Sequence, residues 1–155
     1  MNQHHFKIEL NWTLKQKPND FVGKFYTKNH IVNFSDKSSL ELSAAKGFKG
    51  DPSLHNPEDL LLSSLASCHM MSYLYCCSIE KIEVLSYTDQ AQAVLETFAD
   101  GSGKITKVIL NPIIKIANIE HKQRALDLHK KANQLCFIAN SCNFEVLHNP
   151  IISDI

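Results

Sequence analysis

Residues 60–79, LLLSSLASCHMMSYLYCCSI, contain no Asp, Glu, Lys or Arg across 20 positions of a 155-residue chain. Nothing else in the sequence narrows the fold as much. That length of uncharged helix is what a bilayer crossing requires. Five serines and a histidine interrupt the run, however, and there is no strongly basic flank to orient a span. The segment therefore reads as the buried helix of a water-soluble domain rather than as a membrane span. Its apolar residues are not confined to one stripe, so it should be covered on nearly every side. Asn56-Pro57-Glu58-Asp59 supplies the start. Asn caps, Pro suits the first helical position, and the two carboxylates face the positive end of the helix dipole. The helix is expected to run to about Ile79, roughly 30 Å at 1.5 Å per residue.

The remaining chain alternates strands with one further helix. His5–Thr13 shows strand alternation. After a turn at Lys17–Asp20, short strands are expected at Phe21–Tyr26, His30–Phe34 and Leu40–Ser43, forming an N-terminal meander. Lys46–Asn56 carries two glycines and a proline and reads as a loop. Val84–Gln90 and Gln92–Phe98 read as strands, Ala99–Gly103 as a turn, and Lys104–Ala117 as one extended stretch. Pro112 inside that stretch suggests an edge position or a bulge. Glu120–Leu135 returns to helical spacing, with Ala125, Leu128, Ala132 and Leu135 on one face, and Asn143–Leu147 reads as a last strand. The fold class is α+β, one domain over residues 1–155, with a long central helix wrapped by antiparallel strands. Six or seven short strands have difficulty covering a 30 Å helix on all sides. A homodimer burying two such helices together removes the difficulty.

Composition excludes several functions. Sixteen basic residues balance sixteen acidic ones, which argues against a nucleic-acid binder. Residues 1–15 contain no apolar stretch of signal-peptide length. A cytoplasmic location is expected, where the five cysteines, at 68, 76, 77, 136 and 142, stay free thiols. Cys68 and Cys76, about 12 Å apart along one helix, cannot bond without unwinding it. No C-x-x-C and no pair of histidines at i, i+4 is present, so no metal site is expected. Cys76, Cys77 and Cys142 read as packing residues. Cys68 and Cys136 form a long-range pair, but by spacing alone they read rather as two buried thiols.

Two motifs bear on that choice. Asn56-Pro57-Glu58-Asp59-Leu60-Leu61 is followed by Ser67-Cys68-His69-Met70, and Leu135-Cys136-Phe137-Ile138-Ala139-Asn140-Ser141 lies downstream. Together they resemble the OsmC/Ohr family, the osmotically inducible and organic hydroperoxide resistance proteins, and most closely an OsmC-like subgroup. The resemblance runs from the strands before Phe34 to Leu147. It implies an intertwined homodimer, a peroxide-reactive Cys68 ten residues after Glu58, and Cys136 as the second redox cysteine. The implied activity is reduction of organic hydroperoxides through a Cys68 sulfenic acid and a Cys68–Cys136 disulfide. No bound cofactor is implied, and the disulfide would be reduced by an external dithiol, of lipoyl type or a small thiol.

The chain departs from the family at one point. A peroxidatic cysteine must be a thiolate, and Cys68 lies too deep in its helix for the dipole to act on it. The family uses an arginine from the N-terminal strands, held by the Glu corresponding to Glu58. Arg124, the one arginine in this chain, lies in another segment. Alignment of Tyr26-Thr27-Lys28-Asn29-His30 with the family pattern places Lys28 in that slot and His30 beside it. Lys28 reads otherwise as a solvated turn residue. Lysine supplies charge without the two-point hydrogen bonding of a guanidinium. Leu65, Met70 and Met71 fit either an apolar substrate site or plain core, and His69 either the site or a satisfied buried histidine. The alternative function is an OsmC-fold, stress-associated binding protein with weak or lost peroxidase activity.

Overall fold

The computed structural model describes residues 2–14 and 26–153. Contacts gather into two compact units, Met1–Leu60 and Leu61–Ile155.

In the first unit, β1 (Ile8–Asn11), β2 (His30–Phe34) and β3 (Lys37–Leu42) form an antiparallel sheet in that order. β2 has the bounds expected from its alternation. The expected turn at Lys17–Asp20 and strand at Phe21–Tyr26 fall, apart from Tyr26, outside the described residues. The segment expected as loop contains a short 3-10 turn, Lys46–Phe48. A β-carbon at Gly50 would stand 1.6 Å from the Ala44 carbonyl oxygen, so only glycine fits there.

α1 spans Pro57–Ile79 and starts as its sequence dictates. Asn56 Oδ1 accepts the Asp59 backbone N–H at 2.9 Å. The Asp59 carboxylate accepts in return from the Asn56 backbone N–H at 3.3 Å and from its side-chain amide at 2.7 Å. This reciprocal cap satisfies donors that the first helical turn leaves free. α1 is less buried than its composition suggests. Only Leu65, His69, Tyr73, Cys76 and Cys77 are buried, and they follow a spacing of three or four residues. One chain covers one face of the helix, leaving Met71, Leu74, Tyr75 and Ile79 exposed.

The second unit continues with β4 (Val84–Asp89), β5 (Gln92–Thr97), β6 (Gly103–Leu110), β7 (Pro112–Ile116), α2 (Lys122–Leu135), α3 (Phe137–Asn140), β8 (Glu145–His148) and β9 (Ile151–Ser153). Two three-stranded sheets form, ordered β4-β7-β9 and β5-β6-β8. The expected all-antiparallel arrangement is corrected to a mixed one. β6 pairs with β8 and β7 with β9 in parallel.

The single extended stretch expected at 104–117 divides at Asn111-Pro112. Asn111 turns its backbone N–H to Asp89 Oδ1 at 2.7 Å and its side-chain amide to the Gln90 carbonyl at 2.9 Å. Pro112 has no N–H to offer, which suits the first residue of a strand. Asn149-Pro150 divides β8 from β9 in the same way, and Asn149 donates to Asn111 Oδ1 at 3.2 Å. The two Asn-Pro steps thus pass the chain from one sheet to the other side by side. The larger core cluster joins Tyr73, Cys76 and Cys77 of α1 to Ala125, Leu128 and Ala132 of α2 and to Ile114, Ile116 and Ile152 of the β4-β7-β9 sheet.

Candidate functional site

Cys68 and Cys136 meet. Cys68 stands partly exposed about three turns into α1. Cys136 has no exposed surface. It ends α2 and begins α3, with its backbone extended at φ −73° and ψ 106°. That break in the helix turns its sulfur back, where it accepts the Ala139 backbone N–H at 3.4 Å. The Cys68 thiol lies close enough to it to act on its ionisation. Burial pushes the Cys136 thiol up to about 11, the Cys68 sulfur pushes it the same way, and the Ala139 N–H opposes both. Burial thus disfavours the thiolate of Cys136, which lies beside the more accessible sulfur.

Cys68 opens onto a cavity of about 390 Å³ lined by Met71, Ser72, Tyr75, Leu135 and Phe137. Phe137 is 79% exposed and Met71 57%. The lining is overwhelmingly apolar and can take a hydrocarbon group.

His69, adjacent to Cys68 in sequence, points elsewhere. Its Nε2 lies 2.9 Å from Nδ1 of His129 on α2, one ring donating to the other. The His148 ring lies 4.3 Å from it, centroid to centroid. Tyr73 stacks on His129 at 4.0 Å. Burial lowers His69 to about 3 and His129 to about 4, and His148 adds to both shifts. All three rings are thus neutral at pH 7. The second nitrogens of His69 and His129 are buried without a hydrogen-bond partner among the described residues.

Leu65 packs fully buried with Val108 and Leu110 and does not line the cavity. Lys28, His30 and Glu58 belong to the first unit. The Lys28 ammonium donates to the Phe48 carbonyl. His30 Nδ1 donates to the Lys28 carbonyl at 2.8 Å. Glu58 keeps one buried carboxylate oxygen without a hydrogen-bond partner among the described residues. Arg124 pairs with Glu80 at 2.6 Å.

Sequence reasoning did not single out Ser72, Tyr75, Leu135 or Phe137 as cavity residues, nor His129 and His148 as partners of His69. Phe137 carried a weak signal, being a large apolar residue directly after Cys136. The histidine pair carried none, because its members lie 60 residues apart.

The family profile described as OsmC-like protein matches residues 50–148. The chain belongs to this OsmC-like family. It is similar to the structure of an OsmC-like protein of unknown function from Vibrio cholerae, with 28% identity, a TM-score of 0.85, and coverage of 96% of this chain and 100% of that one. An organic hydroperoxide resistance protein OsmC from Legionella pneumophila shares 18% identity at a TM-score of 0.71, covering 97% of each chain. The organic hydroperoxide resistance protein OhrB of Bacillus subtilis shares 14% identity at 0.63, covering 97% and 98%. These last two likenesses establish the fold. No curated protein matches the chain.

Proposed function

We propose that the protein is a thiol-dependent reductase of organic hydroperoxides. The observation that carries this reading is the contact between Cys68 and Cys136 at the edge of an apolar cavity. Cys68 is the attacking sulfur, because Cys136 is buried and held protonated. Its sulfur attacks the distal oxygen of the hydroperoxide, forming an S–O bond as the O–O bond breaks. The alkoxide takes a proton and leaves as the alcohol. Cys136 then loses its proton and attacks the Cys68 sulfenic acid, and water departs as the disulfide forms. An external dithiol, of lipoyl type or a small thiol, returns both sulfurs to thiols by exchange and leaves as its own disulfide.

Met71, Tyr75 and Phe137 hold the hydrocarbon part of the substrate. Lys28 is the proposed cation for Cys68, with His30 beside it. The unpartnered Glu58 oxygen suits a carboxylate that orients such a cation. A Lys28→Ala variant with an unchanged rate removes Lys28 from the mechanism. We also propose that the protein works in the cytoplasm as a homodimer, in which a second copy covers the exposed Leu74 and Ile79. A monomeric sedimentation coefficient overturns the dimer.

A second reading is favoured by one observation, that the Lys28 ammonium is already engaged by the Phe48 carbonyl. On that reading the protein is a stress-associated binding module with weak or lost peroxidase activity. Mass spectrometry after one equivalent of cumene hydroperoxide separates the two. A Cys68–Cys136 disulfide is expected of the reductase, and unmodified thiols at both positions sink it.

A further inference from the structure

We propose that His69 and His129 are positioning residues, whose mutual hydrogen bond sets the approach of Cys136 to Cys68. The inference rests on the reading of these cysteines as a redox pair. α1 carries Cys68 and His69 consecutively. α2 carries His129 and ends at Cys136, two helical turns further on, about 10 Å along its axis. The helices therefore face each other at two points, joined by a hydrogen bond between imidazoles at one and with the two thiols close together at the other.

The other contacts between the two helices are of a different kind. Ala125, Leu128 and Ala132 pack on α1 through apolar surface, which resists separation but is not directional. Such a surface permits α2 to slide or roll by a fraction of an ångström. A hydrogen bond of 2.9 Å between two rings does not, because it weakens steeply when misaligned. Both rings are themselves held. Tyr73 stacks on His129 at 4.0 Å and an interplanar angle of 16°. His148 lies against His69 at 4.3 Å. The hydrogen bond is buried, with His69 and His129 only 1% and 3% exposed, so water cannot replace it without opening the core.

The thiols need such a constraint. A disulfide requires its two Cα atoms within about 7 Å and a narrow range of dihedral angle. Cys136 stands at a break between helices, so its placement follows the end of α2. Removing the hydrogen bond while keeping the apolar contacts leaves the chain folded and makes closure of the disulfide less favourable.

The test reads the effective concentration of the two thiols against glutathione. The full chain is equilibrated with mixtures of glutathione and glutathione disulfide, then alkylated and mapped by peptide mass. In this exchange the protein dithiol and one glutathione disulfide give the protein disulfide and two glutathiones. Two electrons pass to glutathione, and no peroxide is involved. Loss of peroxidase activity therefore leaves the measurement intact. His129→Leu fills the ring's place without a nitrogen, and His129→Asn sets an amide where Nδ1 stands. The leucine variant is expected to lower the effective concentration about tenfold, the equivalent of one buried hydrogen bond. The asparagine variant is expected to restore most of it. Equal values for His129→Leu and the unaltered chain overturn the proposal, as does an asparagine variant as low as the leucine one. So does failure of the unaltered chain to form the Cys68–Cys136 disulfide at all. Should His129→Leu fail to fold, His69→Met and His69→Gln repeat the comparison from the other ring, because the glutamine amide reaches the Nε2 position.

Discussion

The ring of His129 lies flat on the ring of Tyr73, with centroids 4.0 Å apart and planes at 16°. It is a neutral stack, since burial lowers His129 to about 4 and His69, its hydrogen-bonded partner, to about 3, both from 6.5. His148 is lowered by burial as well. The unfolded chain binds these protons more readily than the folded one. Stability is therefore complete above about pH 6.5 and is lost as the pH falls toward the folded values. Each such histidine contributes a slope of about 1.4 kcal/mol per pH unit within its window. Urea midpoints measured from pH 7 down to pH 5 should fall steeply for the unaltered chain and less steeply for His129→Leu. Parallel slopes for the two would show that His129 does not carry this dependence.

Cys136 is the resolving thiol in the proposed cycle, so Cys136→Ser should stop the reaction after its first step. One equivalent of cumene hydroperoxide should yield a Cys68 sulfenic acid that dimedone traps, detected as a single mass increment on the Cys68 peptide. Turnover with a dithiol should fall at least tenfold, and Cys68→Ser should consume no peroxide. Trapping at Cys136 rather than Cys68 in the unaltered chain would reverse the roles assigned here.

Phe137 forms an exposed wall of the cavity beside Cys68. Replacing it with serine removes apolar contact from a bulky substrate but from little else. At roughly 25 cal/mol per Å² of apolar surface, kcat/KM for cumene hydroperoxide should fall several-fold. The value for hydrogen peroxide should stay within about twofold. An equal fall for both substrates would mean that Phe137 supports the thiols rather than the substrate.

Arg124, the one arginine of the chain, is spent on an ion pair with Glu80, their side chains 54% and 37% exposed. Exposed pairs contribute about 0–1 kcal/mol. Arg124→Ala should therefore lower stability by no more than about 1 kcal/mol in urea titration, with its peroxidase rate unchanged. A tenfold loss of rate would place Arg124 in the chemistry.

Local signals in the sequence carried the elements far. Asn56 and Asp59 name the start of α1 because a short polar side chain can reach its own helix's free N–H groups. Alternation in His30–Phe34 names β2 with its bounds. Local signals failed where two distant segments bear on each other. Residues 104–117 look like one extended stretch, and the bonds from Asn111 to Asp89 and Gln90 divide it. β9 is too short to show a period and exists because β7 lies beside it.

By itself the sequence determined a long uncharged helix, its cap, and two cysteines set in motifs that resemble one family. These are properties of neighbouring residues, fixed by backbone preference and by which side chains reach their own main chain. Tertiary structure decided which face of that helix is buried, that Leu65 packs while Met71 lines a cavity, and that His69 turns to His129 rather than to the thiol beside it. It also decided that Cys136, at a break between two helices, returns its sulfur to Cys68. The physical reason is that burial and directional hydrogen bonding act between surfaces. Those surfaces come together only when segments far apart in the sequence have folded against each other.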